Sequence, residues 1–289
     1  MTKLIATGDQ EWFMPDIQTH IIRRFLTGAF MGIAGLVPGI SSGTIAVVAG
    51  VYRDLIEAIS SITTRQRKLR HFLFLANLFS GMIIATLVFG RFIDYLIEVY
   101  PSQLNLFLIG LITGTIPSLS KSAFDKKAQV NDLVVILLTL VLVLALQYVS
   151  PVPADPIEVL SPQTVLMVFM AGFLAGGAGL IPGISGSAVL LMIGMYATLI
   201  SAIRGFNWPV LLILTGGVLI GFVIFTRGIH YLLRHHRRVT YQAIIGLILG
   251  SAVNLWPRET LYNKVSLVQI FVLIIGVSAA YLSYRVVKN

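Results

Sequence analysis

The sequence predicts an all-α, polytopic membrane protein built as an inverted-topology tandem repeat. Each half is expected to hold a re-entrant helical hairpin followed by three transmembrane helices. Three observations carry this prediction. First, 56% of the 289 residues are hydrophobic and only 11% are charged, with a mean hydropathy of +0.88. A soluble domain carries roughly a quarter of its residues as charges, and a disordered chain needs low hydrophobicity, so both classes are excluded. Second, one stretch of sequence returns later in the chain. Third, the charge of the short loops alternates as it does in proteins that keep their positive loops inside.

The repeat is read residue by residue. Gly28 to Ile59 is GAFMGIAGLVPGISSGTIAVVAGVYRDLIEAI, and Gly172 to Ile203 is GFLAGGAGLIPGISGSAVLLMIGMYATLISAI. At a shift of 144, Gly28, Gly32, Gly35, Leu36, Pro38, Gly39, Ile40, Ser41, Gly50, Tyr52, Leu55, Ile56, Ala58 and Ile59 meet identical residues. At a shift of 136, Gly81, Arg91, Tyr95, Gly110 and Gly114 fall on Gly217, Arg227, Tyr231, Gly246 and Gly250. Residues 1–289 therefore form a single membrane domain, with a first repeat at 21–150 and a second at 163–289. The acidic, proline-rich stretch 149–162 joins them.

Five apolar segments are expected in each half, near 25–37, 43–59, 72–96, 104–118 and 132–149, then 165–181, 187–203, 208–232, 241–256 and 265–284. The first two of each half are short and separated only by PGIS. The 13 residues from Phe25 to Val37 make about 20 Å of helix against a membrane core of about 30 Å. Pro38 and Gly39 stop a helix there. A re-entrant hairpin fits this better than two crossings, and such broken backbone survives at membrane depth only where protein or water covers it.

The loops set orientation. TTRQRKLRH at 63–71 is basic, EVYPSQ has no basic residue, KSAFDKKAQ is basic, 149–162 has none, and RHHRR at 234–238 and the tail with Arg285 and Lys288 are basic. This predicts alternate inside and outside loops with both termini cytoplasmic. The loop PRETLYNK at 257–264 is mixed and uninformative. Each half makes an odd number of crossings, so the halves run in opposite directions, an architecture common among secondary transporters.

The net charge is +9. Because the basic residues sit in loops between apolar runs, they read as topology signals rather than a nucleic-acid surface. There are no cysteines, which excludes disulfides, thiolate nucleophiles and Cys-bound metals. His230, His235 and His236 adjoin a basic loop without the partners a metal needs. No metal or cofactor is implied. Residues 1–20 lack the pattern of a cleavable signal peptide; Trp12 and Phe13 fit a membrane surface.

The chemistry concentrates at the two PGIS tips. Each is followed by the start of a helix, where backbone N–H groups are unpaired and the dipole is positive. Ser41, Ser42 and Thr44 in one tip, and Ser185 and Ser187 in the other, supply N-caps and hydroxyl donors. Gly39, Gly43, Gly183 and Gly186 allow close backbone approach. Two such tips entering from opposite faces should meet near the midplane and form an anion site suited to phosphate. Arg91 and Arg227, late in long apolar helices, are candidates to gather a phosphate at each face; their structural reading is snorkelling to the interface. The pairs Gly28/Gly32, Gly110/Gly114, Gly172/Gly176, Gly217/Gly221 and Gly246/Gly250 read as close helix packing, within one chain or between copies in a homo-oligomer. Asp54 and Glu57 are replaced by Thr198 and Ser201 in the second half, so acid is not part of the repeat.

The tips AGLVPGISSGTIAVVAGVY and AGLIPGISGSAVLLMIGMY resemble those of the bacterial polyprenyl-phosphate, or undecaprenyl-phosphate, translocases, and the resemblance covers almost the whole chain. It implies a flippase of the bacterial cytoplasmic membrane that returns undecaprenyl phosphate, the lipid carrier of cell-wall sugars, from the outer to the inner leaflet. The residues themselves give an anion site and alternating access; the lipid follows only from the resemblance. Two alternatives stand beside it. The tip also looks like the PGxSRS tip of undecaprenyl-diphosphate phosphatases, but that chemistry needs an arginine beside the serine and paired glutamates. Here Ser42 and Gly186 occupy the arginine positions, and no two glutamates lie within four residues, so no enzymatic activity is expected. The other alternative is a transporter of a small soluble anion: a closed aqueous vestibule would favour it, and a lateral opening between helices would favour the lipid.

Overall fold

The structure is a computed structural model that describes residues 17–37, 41–62, 69–124, 130–147, 155–157, 160–257 and 266–288. Outside the described residues lie Trp12 and Phe13, the tip residues Pro38, Gly39 and Ile40, most of the basic loop 63–71, most of the linker 149–162 and residues 258–264.

Among the described residues every regular element is a helix. In the first half they are α1 (Ile17–Leu36), α2 (Ser42–Val48), α3 (Tyr52–Ile62), α4 (Leu69–Val99), α5 (Pro101–Thr113), α6 (Ile116–Ala123) and α7 (Val130–Gln147). In the second half they are α8 (Pro162–Leu180), α9 (Gly186–Met192), α10 (Tyr196–Arg204), α11 (Trp208–His235), α12 (Arg237–Asn254) and α13 (Leu267–Lys288). Four stretches, Leu69–Val99, Pro101–Lys121, Pro162–Leu180 and Trp208–His235, are long and apolar enough to cross a membrane. The pair α9 and α10, bent by 109°, makes a fifth if taken as one span. Large apolar side chains such as Leu87, Leu138, Leu212 and Phe271 face outward, as they must where lipid is the solvent. The chain is a multi-pass membrane protein.

Two boundaries differ from the spacing argument. α1 has 20 residues rather than 13, because nothing in QTHIIRR interrupts a helix. α8 has 19 residues because Ser161 and Thr164 form a capping box with Pro162 at the first helical position, a start signal in its own right. At about 30 Å, α1 matches the thickness of the membrane core, so its length alone does not distinguish a re-entrant arm from a crossing. A third difference is the break between α5 and α6 at Gly114 and Thr115. Pro117 removes one helical N–H and its ring clashes with the carbonyl four residues back, that of Thr113, where α5 ends. The matched position in the second half is Val253, and α12 runs through it unbroken.

Glycines decide which helices touch. An added Cβ at Gly28 would strike Leu78, at Gly32 Met82, and at Gly81 Phe25, so α1 and α4 pack backbone to backbone. The sequence-matched contacts recur in the second half: Gly172 meets Leu214, Gly176 meets Val218, and Gly217 meets Phe169. Contacts four residues apart on one helix match contacts four apart on the other, so α1 runs parallel to α4, and α8 parallel to α11. The chain must therefore return through α2 and α3, and through α9 and α10. The later helices exchange partners between halves. Gly110 and Gly114 of α5 pack on α13 at Leu273 and Ala280, and Gly246 and Gly250 of α12 pack on α7 at Ile136 and Val143. These pairs are parallel too. The glycine spacings singled out in the sequence thus pack helices within the chain.

The α7–α12 pair is also pinned by charge. Asp132 is 5% exposed and receives Arg238 Nε at 3.0 Å, Arg238 Nη2 at 2.5 Å and Gln242 Nε2 at 2.6 Å. Burying a carboxylate requires this degree of compensation. It also fixes geography: the first turns of α7 and α12, at Asp132 and Arg238, lie at the same end of the molecule.

Two outcomes follow for stability in detergent. Gly217→Leu pushes α11 off Phe169, whereas Gly216→Leu adds a side chain where a Cβ meets nothing within 4 Å. Overpacking costs about 1–3 kcal/mol, so the thermal midpoint should drop by several degrees for the first and stay for the second; equal midpoints would contradict the packing. Asp132→Ala strands the Gln242 amide, which is 1% exposed, and should cost about 1–3 kcal/mol, read as a lower midpoint that Asp132→Glu partly restores.

Candidate functional site

The segment that follows the first tip meets the carboxyl end of α8 and Gly183 of the second tip, and the meeting is asymmetric. Ser41 is the N-cap of α2, in extended backbone, and its Oγ accepts the Gly43 N–H at 3.1 Å. The same Oγ donates to the carbonyl of Gly179, at the end of α8 in the other half, at 3.0 Å. Thr44 Oγ1 accepts the N–H of Gly183 at 2.9 Å. Tyr52 at the start of α3 donates its hydroxyl to the Leu180 carbonyl at 3.1 Å. Gly43 lies so close to α8 that a Cβ there would sit 2.8 Å from the Leu180 carbonyl oxygen. The first tip therefore closes the carboxyl end of α8, whose last carbonyls have no helical partner of their own. Gly183 reaches Thr44 with φ +85, a conformation glycine adopts at little cost.

Burial differs between the tips. Ser41 is 3% and Thr44 1% exposed, and Ser42 Oγ donates to the Met31 carbonyl at 3.1 Å. The hydroxyl protons of Ser41 and Ser42 are thus held by backbone carbonyls in this conformation. In the second tip Ser185 is the N-cap of α9 without a side-chain cap bond. Its Oγ lies 2.8 Å from Ser187 Oγ, and Ser187 is exposed. Two hydroxyls in contact share one proton and leave the other to donate outward. Gly186 packs against α8, where a Cβ would lie 2.6 Å from the Ala175 carbonyl oxygen. Both α2 and α9 have seven residues, about two turns, so hydroxyls and backbone N–H groups must supply more of any anion contact than the dipole does.

Tyr52 was not singled out as a site residue by the sequence, although it belongs to the matched set and recurs as Tyr196. The signal was present but indistinguishable from packing. Arg91 and Arg227 lie elsewhere. Each follows a buried residue of its helix, Ala85 or Gly221, by six positions, about 240° around the helix. Both are exposed on the outer faces of α4 and α11.

The packing register sets the depth of the tips. Leu36 ends α1 level with Thr86 of α4, and Leu180 ends α8 level with Phe222 of α11. Both α4 and α11 continue for another thirteen residues, about 20 Å. Beside the first tip lies a groove of about 1020 Å³, walled by α1, α2, α4, α5 and α13 and lined almost wholly by apolar side chains. Among the described residues no group of three or more His, Asp or Glu comes together.

Residues 31–270 match the family described as undecaprenyl phosphate translocase-like. The polyprenyl-phosphate transporter of Vibrio cholerae serotype O1 is 32% identical over 260 residues, covering 86% of this chain and 82% of that protein. The polyprenyl-phosphate transporter of Staphylococcus aureus is 35% identical over 262 residues, covering 88% of this chain and 92% of that protein. No solved structure matches. By the extent of both matches, the chain belongs to the undecaprenyl phosphate translocase-like family.

Proposed function

We propose that this protein is a flippase that moves undecaprenyl phosphate from the outer to the inner leaflet of the bacterial cytoplasmic membrane, so that the carrier lipid can be used again in cell-wall synthesis. The observation that carries the reading is the meeting of the two tip regions, Ser41 and Thr44 against Gly179 and Gly183. A carrier that handles a phosphate at mid-depth must replace its water, because an unpaired anion in hydrocarbon costs many kcal/mol. Ser185, Ser187 and the glycine-bounded backbone of the second tip offer donors, while the first tip holds the seam between the halves. The printed names of the relatives supply the lipid.

The two halves act as inverted repeats. Supporting this, α1 and α4 are parallel, α8 and α11 are parallel, and the first turns of α7 and α12 share one end. With basic loops inside, the first pair runs outward and the second inward. Each hairpin then ends about 20 Å short of the far end of its long neighbour, as a re-entrant segment would. Separating the tips, with the α1–α4 unit rocking against the α8–α11 unit while the exchanged pairs α5–α13 and α7–α12 hold the frame, exposes the site to each leaflet in turn. The apolar lateral groove favours a lipid over a soluble anion. In this mechanism, Arg91 and Arg227 sit at the interface and meet the phosphate before and after the tips.

The direct test is reconstitution in liposomes with undecaprenyl phosphate and, as control, its diphosphate. Wild type should move the monophosphate between leaflets and release no inorganic phosphate. Ser185→Ala with Ser187→Ala should slow transport at least about tenfold with an unchanged thermal midpoint, since neither hydroxyl holds a helix end. Full activity in the double variant would refute the site; phosphate release from the diphosphate would restore the enzyme reading. In the naturally cysteine-free chain, Asp155→Cys should react with an impermeant thiol reagent from outside and Arg70→Cys only from inside; the reverse pattern would overturn the orientation.

A further inference from the structure

Glycine closes two of the short helices, and a phenylalanine closes a third. After α2 the Val51 N–H reaches back to the Ala46 carbonyl at 2.9 Å, and after α9 the Met195 N–H reaches the Leu190 carbonyl at 2.8 Å. Each bond spans a left-handed glycine, Gly50 at φ 70 and Gly194 at φ 74, the residue that this helix ending favours. α10 ends in the same way, with the Asn207 N–H on the Ala202 carbonyl at 2.9 Å. Its left-handed residue is Phe206, at φ 51, the one non-glycine with positive φ among the described residues. A side chain is strained there, a bulky one most of all. Gly205 stands one position too early to relieve it.

The chain gives the ring little in return. Phe206 is 71% exposed, and Trp208, on which it leans at 6.5 Å between ring centroids, is 62% exposed. Facing water, glycine or asparagine would close the helix with less strain, so the compensation for an aromatic lies outside the chain. The position of the turn names the partner. α11 starts at Trp208, is apolar enough to cross a membrane and has 28 residues, about 42 Å. A bilayer with its headgroups is about 40–45 Å thick, so both ends of α11 lie at headgroup level. The far end carries Arg234 and His235. The near end carries the two rings, with Arg204 exposed beside them. Aromatic rings concentrate at that depth, and an arginine there keeps its stem in apolar surroundings and its guanidinium among the phosphates.

We propose that Phe206 and Trp208 are an interfacial anchor that docks the α10–α11 turn onto lipid at the boundary between headgroups and acyl chains, with Arg204 on the lipid phosphates. The anchor holds the end of α10, the returning arm of the second hairpin, at a fixed depth. The assignment holds for either orientation of the chain and does not depend on transport.

The test reads ring depth by fluorescence in liposomes. The chain has three tryptophans. Trp12→Phe with Trp256→Phe leaves Trp208 as the probe, and adding Trp208→Phe with Phe206→Trp moves the probe to position 206. Phosphatidylcholine brominated near the top of its acyl chains should quench both probes at least about twice as strongly as lipid brominated near the chain ends, and aqueous iodide should quench them weakly. Stronger quenching by the deep bromines would overturn the anchor. So would strong quenching by iodide without bromolipid quenching, the result for rings in water. Protection from both quenchers would overturn it too, placing the rings against a second copy of the chain. Phe206→Gly should leave the thermal midpoint in detergent unchanged or higher, because strain is released and little packing is lost. A fall of several degrees would show that the ring itself closes the turn and would overturn the assignment.

Discussion

The seam between the two tips rests on a few hydrogen bonds at the end of one helix. α8 stops at Leu180, with carbonyls that have no partner within the helix, and the first half supplies the missing donors from Ser41 and Tyr52. The traffic runs the other way at Gly183, whose N–H finds Thr44. Each bond contributes only about 1 kcal/mol net, but leaving its groups unpaired in a buried setting costs more. The seam is therefore stable while closed and cheap to exchange for another set of partners, as the proposed carrier cycle requires. A phosphate between the tips offers acceptors that could compete for the Ser41 hydroxyl and the Gly183 N–H.

Around this seam the rest of the chain is scaffold. Glycine rows let α1 lie on α4 and α8 on α11 with backbone contact, so each hairpin is braced by a long helix and its tip depth is fixed. The exchange of partners in α5–α13 and α7–α12 braids the halves together, and the buried Asp132–Arg238–Gln242 cluster sets the register of one braid. Membrane helices gain little from apolar burial against one another, because lipid is as apolar as leucine, so close packing and polar ties must carry the association.

Much of this was legible in the sequence. Hydropathy and proline placement located the apolar segments, and the glycine spacings named the faces that pack. What the sequence did not reveal has physical reasons. The extra length of α1 lies in QTHIIRR, which is too polar to read as membrane yet contains nothing that stops a helix. The exchange of helices depends on contacts far apart in the chain: Asp132 and Gln242 are 110 residues apart, and nothing local announces them. The asymmetry of the tips was partly visible. Ser42, Gly43 and Thr44 align with Gly186, Ser187 and Ala188, so the buried clasp of Thr44 has no counterpart. Which tip would be buried depended on packing, which the repeat alone could not supply. Arg91 and Arg227 matched across the repeat, but helical phase turns them outward, away from the tips.

The central claim is that the contact between Ser41 and Gly179 closes one state of a moving seam. It is tested most directly by a thiol placed in the seam. Ser41 is 3% exposed and the chain has no cysteine, so Ser41→Cys gives a single thiol that is shielded while the seam is closed. The account predicts that polyprenyl phosphate, by opening the seam, speeds alkylation of that thiol in liposomes at least about tenfold. An alkylation rate indifferent to the lipid would contradict it.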